Sequence, residues 1–95
     1  MADTLQEASQ KRTGWLQFEK LEKGFLPDEL ALQFNIQGRQ FVTFVPANYV
    51  DETRNALVVM VIGTLEDGNY LVELPRETTA GGSKLRIPEG MLLEG

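Results

Sequence analysis

Histidine and cysteine are both absent from the 95 residues. Without histidine, the side chain best suited to proton transfer near neutral pH is missing. Without cysteine as well, Ser-His and Cys-His nucleophile pairs are excluded, along with disulfides and ordinary zinc sites. The chemistry left open is that of carboxylates, or of a hard cation held by oxygen ligands. Long apolar runs are lacking too. The longest, Leu57 to Ile62, is far short of the ~20 residues that span a bilayer. The polar stretch from Met1 to Thr13 has no apolar centre of the kind that a secretory leader carries. The expected location is the cytoplasm, which also fits the lack of cysteine.

Runs of one charge are missing as well. Fourteen acidic residues face nine basic ones, for a net charge of −5. Proteins that bind a phosphate backbone usually carry a basic stripe, so a nucleic-acid partner is not expected. A local basic patch would need Arg39, Arg76, Lys84 and Arg86 to meet in space.

What the chain has is alternation. From Leu30 to Gln37 large apolar residues take every second position, the period of a strand with one wet face. Gly38-Arg39 suits a two-residue hairpin turn with glycine first. The return strand is Gln40 to Val45, stopped by Pro46, which has no amide hydrogen for a ladder. This register pairs Ile36 with Phe41, Phe34 with Thr43 and Leu32 with Val45. It gives one core face of Leu30, Leu32, Phe34, Ile36, Phe41 and Val45.

Leu57 to Ile62 is the strongest strand. Asp67-Gly68 marks a turn, and Tyr70 to Leu74 returns to Pro75. The expected pairs are Leu65 with Tyr70, Gly63 with Val72 and Val61 with Leu74. The segment Trp15 to Leu21 fits either a helix or a strand, and its β-rich surroundings favour a strand. Residues 76–83 read as a glycine-bearing loop, Lys84 to Ile87 as a short final strand, and Met91 to Leu93 as a docking C-terminal segment.

The expected fold is all-β: a small antiparallel barrel or sandwich of five to six strands. It is built on two hairpins, 30–45 and 57–74, with a short helix or turn at 47–55. Residues 1–13 are expected to be a flexible tail on a single β domain spanning 14–95.

Val45-Pro46-Ala47-Asn48-Tyr49-Val50 resembles the Pro-x-Asn-Tyr-Val turn of Src-homology adaptor domains. That likeness would imply a groove for proline-rich peptides lined by Pro46 and Tyr49. It covers only these six residues. The family's aromatic and acidic opening motif is absent, as are its paired tryptophans, since the one tryptophan is Trp15. Long strands also follow the motif where that domain would be ending. The plainer reading is that Pro46 stops a strand and Tyr49 packs at the edge of the core.

Three acidic pairs, Asp28-Glu29, Asp51-Glu52 and Glu66-Asp67, all fall at expected turns or element ends. None has the spacing of a calcium loop, and they read as solvated loop charge. Ala80 to Lys84 only faintly resembles a phosphate-cradling loop, because its lysine follows the serine and no helix follows. No catalytic, metal or cofactor site is assigned.

The residues singled out are instead Val58, Met60, Ile62 and Leu71, on what should be the wet face of the second hairpin, with Val42 and Phe44 on the first. Something must cover them. Either the segment around Trp15 or barrel closure does so, or they form a protein interface. The expected function is a small noncatalytic binding or accessory module acting through protein contacts, with self-association as one form. An OB-like barrel for single-stranded nucleic acid is the alternative, and a carboxylate-based metal or enzyme site ranks last.

Overall fold

Alternating apolar residues with few helix-favouring stretches should give strands that share one core, and the computed structural model shows this arrangement. It describes residues 5–93. Among these residues nine strands run in chain order: β1 (Leu5–Gln17), β2 (Lys20–Lys23), β3 (Glu29–Ile36), β4 (Arg39–Pro46), β5 (Val50–Asp51), β6 (Ala56–Leu65), β7 (Tyr70–Glu73), β8 (Lys84–Ile87) and β9 (Leu92–Leu93). Short 3-10 turns occupy Ala47–Tyr49 and Glu89–Met91. No helix among the described residues is long and apolar enough to cross a membrane.

Strands β8-β7-β6-β1-β9 form one antiparallel sheet in that order, with β5 also paired to β6. Strands β2-β3-β4 form a second sheet. The sheets are not closed into a barrel, so of the two expected architectures the open, two-sheet one is realised. The count exceeds five to six strands because β1 and β2 are separate, and because β5 and β9 add two-residue pieces.

One apolar core joins the sheets. Leu32, Phe34, Ile36 and Val45 from the small sheet meet Leu16, Leu57, Val59, Val61, Val72, Leu85 and Ile87 from the large one. Phe18, between β1 and β2, sets its ring edge-on to Phe34 at 6.5 Å. Full burial of a Leu or Phe side chain contributes about 1.5–3 kcal/mol, so this cluster dominates the stability. Gly14 lies where β1 passes beneath Leu92: a Cβ there would come within 2.9 Å of Leu92 Cδ1 and 3.1 Å of Val61 Cγ2. Tyr49 packs half-buried against the core, and Pro46 ends β4.

Several expectations need correction. The first hairpin turns on Gln37-Gly38, not Gly38-Arg39. Both central residues have positive φ, 52° and 80°, the pattern of a type I′ turn whose twist matches that of the strands. Ile36 therefore pairs with Arg39, Phe34 with Phe41, Leu32 with Thr43 and Leu30 with Val45. The shift is two residues, so every side chain keeps its expected face. Thr43 thus lies in the core, and its Oγ1 donates to the Glu77 carbonyl at 3.0 Å.

The second hairpin differs through a bulge. Thr64 pairs with Tyr70 and Gly63 with Leu71, but Val61 pairs with Val72. Ile62 is the extra residue, and it is buried. The connecting loop runs from Glu66 to Asn69. The Gly68 N–H donates to the Leu65 carbonyl at 3.0 Å, and Gly68 takes the left-handed φ of 86°.

Strand β1 begins at Leu5, and Leu5 to Glu7 pair with Leu65 to Gly63. Backbone pairing needs no apolar side chains, which is why a polar stretch can extend a sheet. The first four residues of the expected tail lie outside the described residues.

Candidate functional site

Loop 24–28, between β2 and β3, holds the most exposed large apolar side chains among the described residues. Phe25 is 88% exposed and Leu26 65%. Small loops commonly turn such residues inward, but this one is built to hold them out. The Glu29 carboxylate reaches back along the loop, and its Oε1 accepts the Phe25 N–H at 2.9 Å and the Leu26 N–H at 3.4 Å. The Gly24 N–H donates to the Glu29 carbonyl, and the Glu29 N–H to the Leu26 carbonyl. Gly24 fits because a Cβ there would fall 2.7 Å from both Glu29 Cγ and Oε1. The Ala47 N–H donates to the Asp28 carbonyl at 2.7 Å and ties the loop to the end of β4.

The loop lies against the outer face of the small sheet. The Phe25 ring sits 5.2 Å from the Phe44 ring. Phe44 is shared by two open depressions. The first, about 310 Å³, is lined by Phe25, Ala31, Val42 and Phe44, with Lys20, Glu22 and Lys23 on its β2 side. The second, about 380 Å³, lies beside Leu26 and Pro27, with Asp28, Glu29 and Arg76 around it.

Two of the six expected interface residues, Val42 and Phe44, therefore join this surface. The other four do not. Val58 and Met60 lie on the outer face of the large sheet, where Met60 is 39% exposed. Val58 pairs with Trp15 on the neighbouring strand, so Trp15 flanks this face within its own sheet. Ile62 is core, and Leu71 is half-buried beside Gly63.

Each acidic pair supplies a local structural hydrogen bond. Glu29 holds loop 24–28. Asp67 accepts the Asn69 N–H at 3.0 Å in the turn of the second hairpin. Asp51 accepts from Thr53 Oγ1 at 2.6 Å and from Arg54 Nε at 2.7 Å. These bonds, led by those from the Thr53 and Arg54 side chains, lower the Asp51 pKa to about 2. Among the described residues no three acidic side chains converge as a metal site would require.

Arg39, Lys84 and Arg86 do meet, lining with Phe41 one depression of about 350 Å³. The Arg39 guanidinium lies 5.3 Å from the Phe41 ring centre. Arg76 is not part of this group and lies beside the second Phe44 depression instead.

Comparison of the chain with family models, with curated proteins and with solved structures yields no match.

Proposed function

We propose that the chain is a noncatalytic docking module that binds protein through Phe25, Leu26 and Phe44 on the outer face of its small sheet. The observation that carries this reading is the clamp: a carboxylate and a glycine cooperate to hold two large apolar side chains in water. Leaving a Phe and a Leu exposed forgoes about 1.5–3 kcal/mol for each side chain, and docking would recover it. Paired aromatic rings beside concavities with charged rims match the anatomy of a binding surface.

The test is site-specific photocrosslinking in host-cell lysate, with a benzophenone side chain placed at position 25 or, as a control, at Thr64 in the large sheet. A discrete protein adduct at position 25, absent at 64, is the expected result. Equal labelling at both positions, or none at 25, would refute the docking role.

A second reading rests on the meeting of Arg39, Lys84 and Arg86 around Phe41. Cations beside an aromatic ring suit single-stranded nucleic acid. Retention on an immobilised oligonucleotide at low ionic strength should then fall steeply with salt, and Lys84→Glu should weaken it. Passage through the column unretained would remove this reading.

A further inference from the structure

We infer that the occupant of the Phe25–Leu26–Phe44 surface is a second copy of the same chain, related by a two-fold axis. This deepens the docking role just proposed and rests on it. An isologous interface must be complementary to itself, so a two-fold has to lay each projection on a hollow and each charge on its opposite. This surface meets both conditions. Two projecting side chains, Phe25 and Leu26, stand between two depressions that share Phe44.

The rims carry mirrored charges. The first depression has two lysines, Lys20 and Lys23, and one glutamate, Glu22. The second has two carboxylates, Asp28 and Glu29, and one arginine, Arg76. Their local charges are thus +1 (two cations, one anion) and −1 (two anions, one cation). A two-fold that sets the first depression of one copy on the second of the other brings these unlike charges together twice. An unrelated partner would not require the mirrored pattern, whereas a self-pairing surface does.

Stable interfaces bury about 800 Å² per partner, and pairing through one loop and one sheet face is expected to give a reversible dimer that dissociates on dilution. Sedimentation equilibrium of the full chain should show the mass rising from 10.6 kDa towards twice that value with concentration. Leu26→Asp should keep the monomer mass throughout. Lys23→Glu turns the first rim to −1, and Asp28→Lys turns the second to +1, so each variant alone sets like charges together in its homodimer and should be monomeric. Mixed in equal amounts they should form a heterodimer, because every contact across the axis then joins opposite charges.

Both charged variants change exposed residues, and unaltered circular dichroism and melting would show that they fold. A wild type that stays at 10.6 kDa up to millimolar concentration would overturn the self-pairing. So would a dimer indifferent to Leu26→Asp, or single variants that fail to pair when mixed. The crosslinking experiment separates the two claims: an adduct with a different protein, together with a monomeric wild type, ends the self-pairing and leaves the docking role standing.

Discussion

The Glu29 carboxylate accepts the backbone N–H of Phe25 at 2.9 Å, and Gly24 is the residue that makes room for it. A methyl group at position 24 would occupy the space of the Glu29 side chain and drive it out of its clamp. Gly24→Ala and Glu29→Ala should therefore remove the same interaction. Each is expected to cost about 1 kcal/mol, the net value of a hydrogen bond to a charged acceptor at a partly exposed site. Together they should cost scarcely more than either alone, a failure of additivity that a double-mutant cycle detects. Amide exchange at Phe25 and Leu26 should quicken in all three variants. Additive costs would mean that Gly24 and Glu29 act independently.

Gln37 occupies a left-handed position that glutamine rarely takes, next to Gly38 in the same turn. Asparagine tolerates that conformation better, and Asn-Gly is the preferred pair of a type I′ hairpin. Gln37→Asn should raise stability by about 0.5–1 kcal/mol, and Gly38→Ala should lower it by about 1–2 kcal/mol. Nothing lies within 4 Å of a Cβ built at Gly38, so the second effect would come from backbone conformation alone. Urea unfolding midpoints measure both, and a destabilised Gln37→Asn would contradict the assigned turn.

Met60 faces Glu73 across the β6–β7 ladder and Thr13 across β1–β6. Charge at position 60 should therefore act through Glu73. Met60→Lys is expected to be more stable than Met60→Glu by about 0.5–1 kcal/mol, since like charges placed directly opposite destabilise a ladder. Ile62→Glu belongs to another class. It would bury a carboxylate in the core and should unfold the chain, so it cannot probe an interface as Met60 can. Equal melting temperatures for the two Met60 variants would show that residues 60 and 73 do not interact.

The faces of the first hairpin were legible because a period of two survives a register error of two. Leu32, Phe34 and Ile36 are buried whether the turn is Gly38-Arg39 or Gln37-Gly38. The turn itself was not legible, since glutamine carries no signal for positive φ. In the second hairpin, nothing in Val58 to Ile62 announces a bulge in so uniformly apolar a strand, nor that Ile62 is buried while Met60 is exposed. At the candidate site, Val42 and Phe44 followed from alternation. Phe25 and Leu26 did not, because they belong to no alternating stretch. The available signal was the punctuation around them, Gly24 before and Pro27-Asp28 after, which marks a loop. That Glu29 would bind the loop backbone is a tertiary detail that no periodicity encodes.

Asp51 joins a loop to the single tryptophan. Its Oδ2 accepts from Arg54 Nε at 2.7 Å, and the Arg54 guanidinium lies 4.9 Å from the centre of the Trp15 ring. The hydrogen bonds from Thr53 and Arg54 lower the Asp51 pKa from its ordinary value to about 2. A depressed carboxyl pKa stabilises the folded state fully above the unfolded-state pKa of about 3.9. That contribution is lost as pH falls through the folded value. The stability difference between wild type and Asp51→Asn should therefore be constant from pH 7 to about 5 and shrink between about 4 and 2. Protonation also releases the carboxylate's hold on Arg54, so Trp15 fluorescence in the folded protein should change with a midpoint near pH 2. Asp51→Asn should abolish that transition, while Glu52→Gln, which alters the neighbouring acid, should leave it in place. A fluorescence transition that survives in Asp51→Asn would show that Arg54 takes its position on Trp15 without Asp51.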